Sequence, residues 1–106
     1  MFVGTDPHVI EVTGELDLYS APELQEMTAR AIDAGSKDLI VDLSHVTFID
    51  STGLGILVST LNRIRRMSGT LALIVSDYDV ERLLELSGLH GTFTIYRSRE
   101  EALSHA

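Results

Sequence analysis

The stretch that most constrains this chain is residues 39–61, where an apolar run passes through Asp50-Ser51-Thr52-Gly53 and straight into a second apolar run. Leu39-Ile-Val41 is apolar at adjacent positions and too short for a helix. That pattern predicts a central strand covered on both faces. After the polar step, Leu54, Leu57, Leu61 and Ile64 fall on one stripe, which predicts a helix over about 53–67, with Gly69 to stop it. A strand that enters a helix through four residues must lay that helix back against its own sheet.

The flanking sequence repeats the alternation. Residues 8–14 read as a strand ended by Gly14, with Phe2-Val3 as the remnant of a preceding strand and Gly4-Thr5-Asp6-Pro7 as the turn between them. A loop over 15–19 leads to Ser20, which is expected to cap a helix. Pro22 sits in its first turn, Glu23 completes a capping box, and Gly35 ends it. Thr70 to Val75 reads as another strand. Asp77 or Asp79 caps a third helix carrying Val80, Leu83, Leu84 and Leu86, ended by Gly88. Thr92 to Tyr96 and a helix from Ser98 through Leu103 close the chain. Met27, Met67, Tyr78, Phe93 and Phe48-Ile49 are expected in the core. Alternation of this kind makes an α/β fold with a mainly parallel sheet under helical cover.

Composition limits the function. The chain has 106 residues, which fits one domain over 1–106. Its net charge of −8 disfavours a nucleic-acid partner, whose phosphates need clustered Lys and Arg. The basic cluster Arg63, Arg65 and Arg66 suits a helix C-terminus instead. With no cysteine, disulfides and thiolate metal sites are excluded. The run 39–61 has the length of a membrane span, but Asp42, His45 and Asp50 interrupt it. Each central Asp costs about 2.5–3.5 kcal/mol of insertion energy, against roughly 0.5 returned per Leu or Ile. No membrane insertion is expected. The N-terminus lacks a signal-peptide pattern, so the expected location is cytoplasmic.

The step itself carries surplus residues. Asp50, Ser51 and Thr52 are all competent helix caps, and a helix uses one. Gly53 and Gly55 each cost about 0.8–1.0 kcal/mol inside a helix relative to alanine. A close packing contact with the sheet would account for one of them. An exposed surface free of side chains, against which another backbone presses, would account for both. A phosphate on Ser51 would add a charge of about −1.5 to −2. The helix N-terminus would tolerate it. Asp50, and Asp17 if it lies close, would repel it, making the surface hostile to a docked partner without refolding the domain.

No catalytic or metal-binding set accompanies the step, so the chain is not expected to be an enzyme or to carry a cofactor. Gly53-Leu-Gly55 is neither a P-loop nor a dinucleotide fingerprint, and Ser51 lies in no GxSxG elbow. His8, His45, His90 and His105 are scattered, with no paired ligand spacing. His45 is expected in a loop after a strand. Asp50 and Ser51 are adjacent, so their side chains diverge rather than forming a base–nucleophile pair.

Val41-Asp-Leu-Ser-His-Val-Thr-Phe-Ile-Asp-Ser-Thr-Gly-Leu-Gly55 closely resembles the central motif of the bacterial STAS-domain proteins that act as anti-sigma factor antagonists. Gly14-Glu-Leu-Asp17 and Leu86-Ser-Gly-Leu89 resemble their flanking motifs, in order, over nearly the whole chain. The resemblance implies a mixed, mostly parallel sheet of four to five strands with about four helices packed mainly on one side, leaving one sheet face less covered. It also implies partner switching. The unphosphorylated antagonist binds an anti-sigma factor with serine kinase activity and frees a sigma factor. The kinase phosphorylates Ser51, with Thr52 a lesser acceptor, and a PP2C-type phosphatase reverses this. Asp17, Asp50, Ser51, Thr52, Gly53, Leu54 and Gly55 would form the docking surface. The alternative within the same family is a non-switching scaffold, a sensor or a transporter-associated subunit. One departure stands out: only 13 residues precede Gly14, so the first strand is expected to be truncated or very short, which either leaves an edge open to self-association or means that the true start lies upstream.

Overall fold

A computed structural model of the chain describes residues 2–5, 9–89 and 91–104. The elements run β1 (Phe2–Thr5), β2 (Val9–Leu16), α1 (Ala21–Asp33), β3 (Asp38–Ile49), α2 (Ser51–Arg66), β4 (Thr70–Ile74), α3 (Tyr78–Leu86), β5 (Thr94–Tyr96) and α4 (Arg99–Ser104). The five strands form one sheet in sequence order. β1 is antiparallel to β2, and the remaining pairs are parallel, as the alternation requires. Gly4 and Thr5 pair with Ile10 and Val9, so they extend the first strand rather than forming a turn. His8, His90 and His105 lie outside the described residues.

Alternate residues of β3 divide the core. Leu39, Val41 and Leu43 pack with Leu24 and Ile32 of α1, Leu57, Leu61 and Ile64 of α2, and Val80 and Leu84 of α3. Ile40 faces the other way and joins Val9, Ile74 and Ala102 of α4. Three helices therefore cover one face and α4 the other. Leu39, Ile40 and Val41 are all buried, so the second face is better covered over this strand than the family resemblance implies. Burying Leu57, Leu61 and Ile64 is worth about 1.5–3 kcal/mol each. That outweighs the roughly 2 kcal/mol that Gly53 and Gly55 together cost α2.

β3 runs twelve residues, from Asp38 to Ile49, so His45 lies in a strand opposite Thr13 and not in a loop. Its extra length is absorbed by two irregularities. Between Glu11↔Asp42 and Thr13↔His45, and again between Gly14↔Val46 and Glu15↔Phe48, β3 holds one residue more than β2. At the first, the Asp42 carboxylate accepts the Ser44 amide at 2.9 Å and its hydroxyl at 2.6 Å, giving the bulged residue a local partner. The other Asp42 oxygen accepts from Arg99 of α4 at 2.8 Å, and Arg99 also reaches Glu11 at 3.0 Å. Burial pushes the Asp42 carboxyl up, but the Ser44 bonds and the Arg99 guanidinium outweigh it, and the group sits below its ordinary range.

Two exposures differ from the expected core. Phe48 and Tyr78 are 51% and 71% exposed, and Leu86 of the third helix is 74% exposed as well. Phe48 follows the second irregularity, which breaks the simple in–out alternation that would have buried it. Tyr78 occupies the first position of α3, and Leu86 its last, where the apolar stripe has run out. Ile49 and Phe93 are buried, and Met27 and Met67 pack against the main core. Gly69 follows α2, but Ser68 is the residue that turns left-handed, at φ 60°. Gly69 is glycine for space: a Cβ there would lie 2.0 Å from the Lys37 carbonyl oxygen.

Candidate functional site

The carboxyl ends of β2 and β3 meet at Asp50. Its amide donates to the Leu16 carbonyl at 3.1 Å. One carboxylate oxygen accepts the Gly53 amide at 2.9 Å and caps α2. The other accepts the Leu18 amide at 3.0 Å, tying down the loop after β2. Of the three competent caps, Asp50 takes the role because it alone also reaches that loop. This leaves Ser51 exposed in the first turn of α2, its hydroxyl without a hydrogen-bond partner among the described residues, and Thr52 half-buried beside it.

The loop is organised by Asp17. One of its oxygens accepts the amides of Tyr19 at 3.0 Å and Ser20 at 3.1 Å, and the Ser20 hydroxyl at 3.2 Å. The Ser20 amide bond leads the effects that hold the Asp17 carboxyl below its ordinary value. The Ser20 hydroxyl also donates to the Glu15 carbonyl at 2.7 Å. Ser20 stands at the N-cap position of α1 yet makes no side-chain cap, because its hydroxyl is spent inside the loop. The expected capping box with Glu23 does not form. Asp17 and Asp50 are thus brought into one hydrogen-bonded unit, with the Leu18 amide between them.

The two glycines separate. A Cβ on Gly53 would lie 2.6 Å from the Leu16 carbonyl oxygen and 2.8 Å from its Cγ, so Gly53 is buried and required by the packing of α2 on β2. A Cβ on Gly55 would meet nothing within 4 Å, and Gly55 is exposed. Leu54 is half-buried against the core. Leu18 and Tyr19, 60% and 90% exposed, join the same surface. They were passed over in the sequence as loop residues; two large apolar side chains between a turn-forming Asp and a helix start were the available signal.

Each Asp50 oxygen accepts a backbone amide, and no side-chain hydrogen bond joins Asp50 to Ser51 among the described residues. No group of three His, Asp or Glu that could hold a metal ion occurs among the described residues. No helix among them is long and apolar enough to cross a membrane. Arg63 and Arg65 are engaged with Asp33 and the Thr92 carbonyl, at 3.1 and 3.2 Å, near the C-terminus of α2.

Comparison with known proteins agrees with this geometry. The family model for the STAS domain matches residues 2–102. An anti-sigma-B factor antagonist of Staphylococcus aureus is 38% identical over 80 residues, 76% of this chain and 74% of that protein. Its counterpart in Staphylococcus epidermidis is 36% identical over 84 residues, covering 79% and 78% of the two chains. The crystal structure of an anti-sigma factor antagonist from Mycobacterium paratuberculosis superposes with a TM-score of 0.85 at 29% identity, over 99% of this chain and 90% of that one. With the sheet order, the capped step and these likenesses together, the chain belongs to the STAS-domain family, among its anti-sigma factor antagonists.

Proposed function

We propose that this chain is a cytoplasmic partner-switching regulator acting as a single STAS domain over residues 1–106. Unphosphorylated, it docks through Asp17, Asp50, Ser51, Thr52, Leu54 and Gly55 on an anti-sigma factor with serine kinase activity, and so frees a sigma factor. Gly53 serves that surface from inside, by letting α2 lie against Leu16. The kinase transfers the γ-phosphoryl group of ATP to the Ser51 Oγ, which loses its proton as ADP leaves. A PP2C-type phosphatase returns the hydroxyl by hydrolysis, releasing inorganic phosphate.

The observation that carries this reading is the exposed, unengaged Ser51 hydroxyl at the start of α2, beside an Asp50 whose carboxylate is committed to structure. A phosphate there would sit at the positive end of a sixteen-residue helix. It would also stand among the Asp17 and Asp50 carboxylates, so the domain would hold while the surface turned strongly negative. The edge strand β1, four residues long, supplies a second contact through self-pairing at high concentration.

The test is capture of partners from a bacterial lysate on wild type, Ser51→Ala and Ser51→Glu. Wild type and alanine should retain an ATP-binding serine kinase and glutamate should not. Incubation with that kinase and ATP should label wild type on Ser51 and leave Ser51→Ala unlabelled. Equal retention of the kinase by all three would refute the switch and favour the non-switching alternative.

A further inference from the structure

The parallel strands β2 to β5 all end on one edge of the sheet, at Leu16, Ile49, Ile74 and Tyr96. Among the described residues, four of the six exposed large apolar side chains lie at this edge: Leu18 and Tyr19 after β2, Phe48 at the end of β3, and Tyr78 after β4. The first two belong to the loop before α1 that the Asp50 carboxylate holds through the Leu18 amide. Of the other two, Phe48 lines an open groove of about 210 Å³ together with Thr47, Ile49, Asp79, Val80 and Leu83, and Tyr78 precedes Asp79 at the start of α3. Ile49 precedes Asp50 in the chain, so the β3 wall of the groove ends where the Ser51 step begins.

We propose that this groove is a second contact for the same kinase partner, receiving an apolar side chain that has a Lys or Arg beside it. The inference rests on the proposed switch and adds a place where affinity is held apart from the phosphoryl acceptor. Charge selects this occupant. Glu15, Asp17, Asp50, Asp77, Asp79 and Glu81 stand along the edge, against Arg82 and Arg97, and Arg97 is paired with Glu81. Asp79 is exposed on the groove wall and forms no ion pair with a described residue. A basic partner is attracted along the whole edge, and its apolar side chain finds Phe48 and Leu83 beneath.

The kinase retained by wild type is purified and its phosphorylation of Ser51 measured on wild type, Phe48→Ser and Asp79→Lys. Both variants alter exposed side chains, and retention of the wild-type melting temperature verifies that they fold. The expected result is a KM raised at least tenfold with kcat within about twofold of wild type, since the transferred phosphoryl group is untouched. Raising salt should weaken wild type more than Asp79→Lys. Wild-type KM in both folded variants would overturn the second contact while leaving the switch standing. Loss of discrimination between Ser51→Ala and Ser51→Glu would instead remove the switch, and the groove's assignment with it. A concentration-dependent dimer in wild type that Phe48→Ser abolishes, with KM unchanged, would assign the groove to a second copy of this chain and refute the kinase as its occupant.

Discussion

Gly53 and Gly55 occupy equivalent-looking positions in the first turns of α2, and replacing each by alanine should have opposite effects on stability. At Gly53 the new Cβ would lie 2.6 Å from the Leu16 oxygen, 2.8 Å from Leu16 Cγ and 3.1 Å from Ile49 Cγ2. The Leu16 carbonyl cannot retreat freely, because it accepts the Asp50 amide at 3.1 Å. Overpacking of this kind costs about 1–3 kcal/mol, and contact with backbone belongs at the upper end. Removing a helical glycine returns about 0.8–1.0 kcal/mol. The net is a loss of about 2 kcal/mol. At Gly55 there is no neighbour within 4 Å, so only the helical gain remains. With an unfolding entropy of about 2.1 cal/mol/K per residue, a chain this long shifts its melting temperature by roughly 4–5 °C per kcal/mol. Gly53→Ala should melt about 9 °C lower and Gly55→Ala about 4 °C higher, read by circular dichroism on heating and by urea titration. Gly55→Ala should nonetheless lose the kinase in the capture assay, because its methyl group stands on the open surface. A stable Gly53→Ala protein, or a Gly55→Ala protein less stable than wild type, would refute the division between a packing glycine and a surface glycine.

Other substitutions test the rest of the framework. Asp50→Ala should cost about 1–2 kcal/mol in urea unfolding, since it removes the α2 cap and the tether to the Leu18 amide together; Asp50→Asn, itself a competent cap, should recover most of it. Arg99→Met should destabilise by about 1–3 kcal/mol, because the buried Asp42 carboxylate loses its charged partner. The sign of the pH effect follows from Asp42, whose folded-state carboxyl is held low: its contribution is fully present above the ordinary Asp value of about 4 and is lost as pH falls through the lower folded value. The Arg99→Met protein should therefore begin acid unfolding at a higher pH than wild type, followed by fluorescence of an added apolar dye. An unchanged acid midpoint would remove the ion pair from the account of how α4 is held.

The elements were legible in the sequence where the signal is local. The stripe Leu57, Leu61 and Ile64 announced α2, and the adjacent apolar Leu39, Ile40 and Val41 announced a strand with two covered faces. Asp77 and Asp79 both read as caps of α3, and it is Asp77 that accepts the Asp79 and Val80 amides, at 2.9 and 3.1 Å. Reading failed where a side chain has several local options. Ser20 has the spacing of a capping box, yet its hydroxyl is taken by Glu15 and Asp17. Phe48 and Tyr78 look like core by type, and strand irregularity and helix position put them at the surface. Arg99 is 57 residues from Asp42, a separation over which no periodicity reports.

By itself, the sequence determined the alternation of strands and helices, the place of the polar step between β3 and α2, and the family. These are set by short-range spacing and by a contiguous motif. Only the tertiary structure decided which of Asp50, Ser51 and Thr52 caps, because the choice turns on the Leu18 amide delivered by a different strand end. The same holds for the glycines. Gly53 is dictated by the Leu16 backbone, 37 positions away in the chain, and Gly55 by the open space in front of it. A cap or a close approach is a contact between segments that folding brings together, and its energy exists only once they have met.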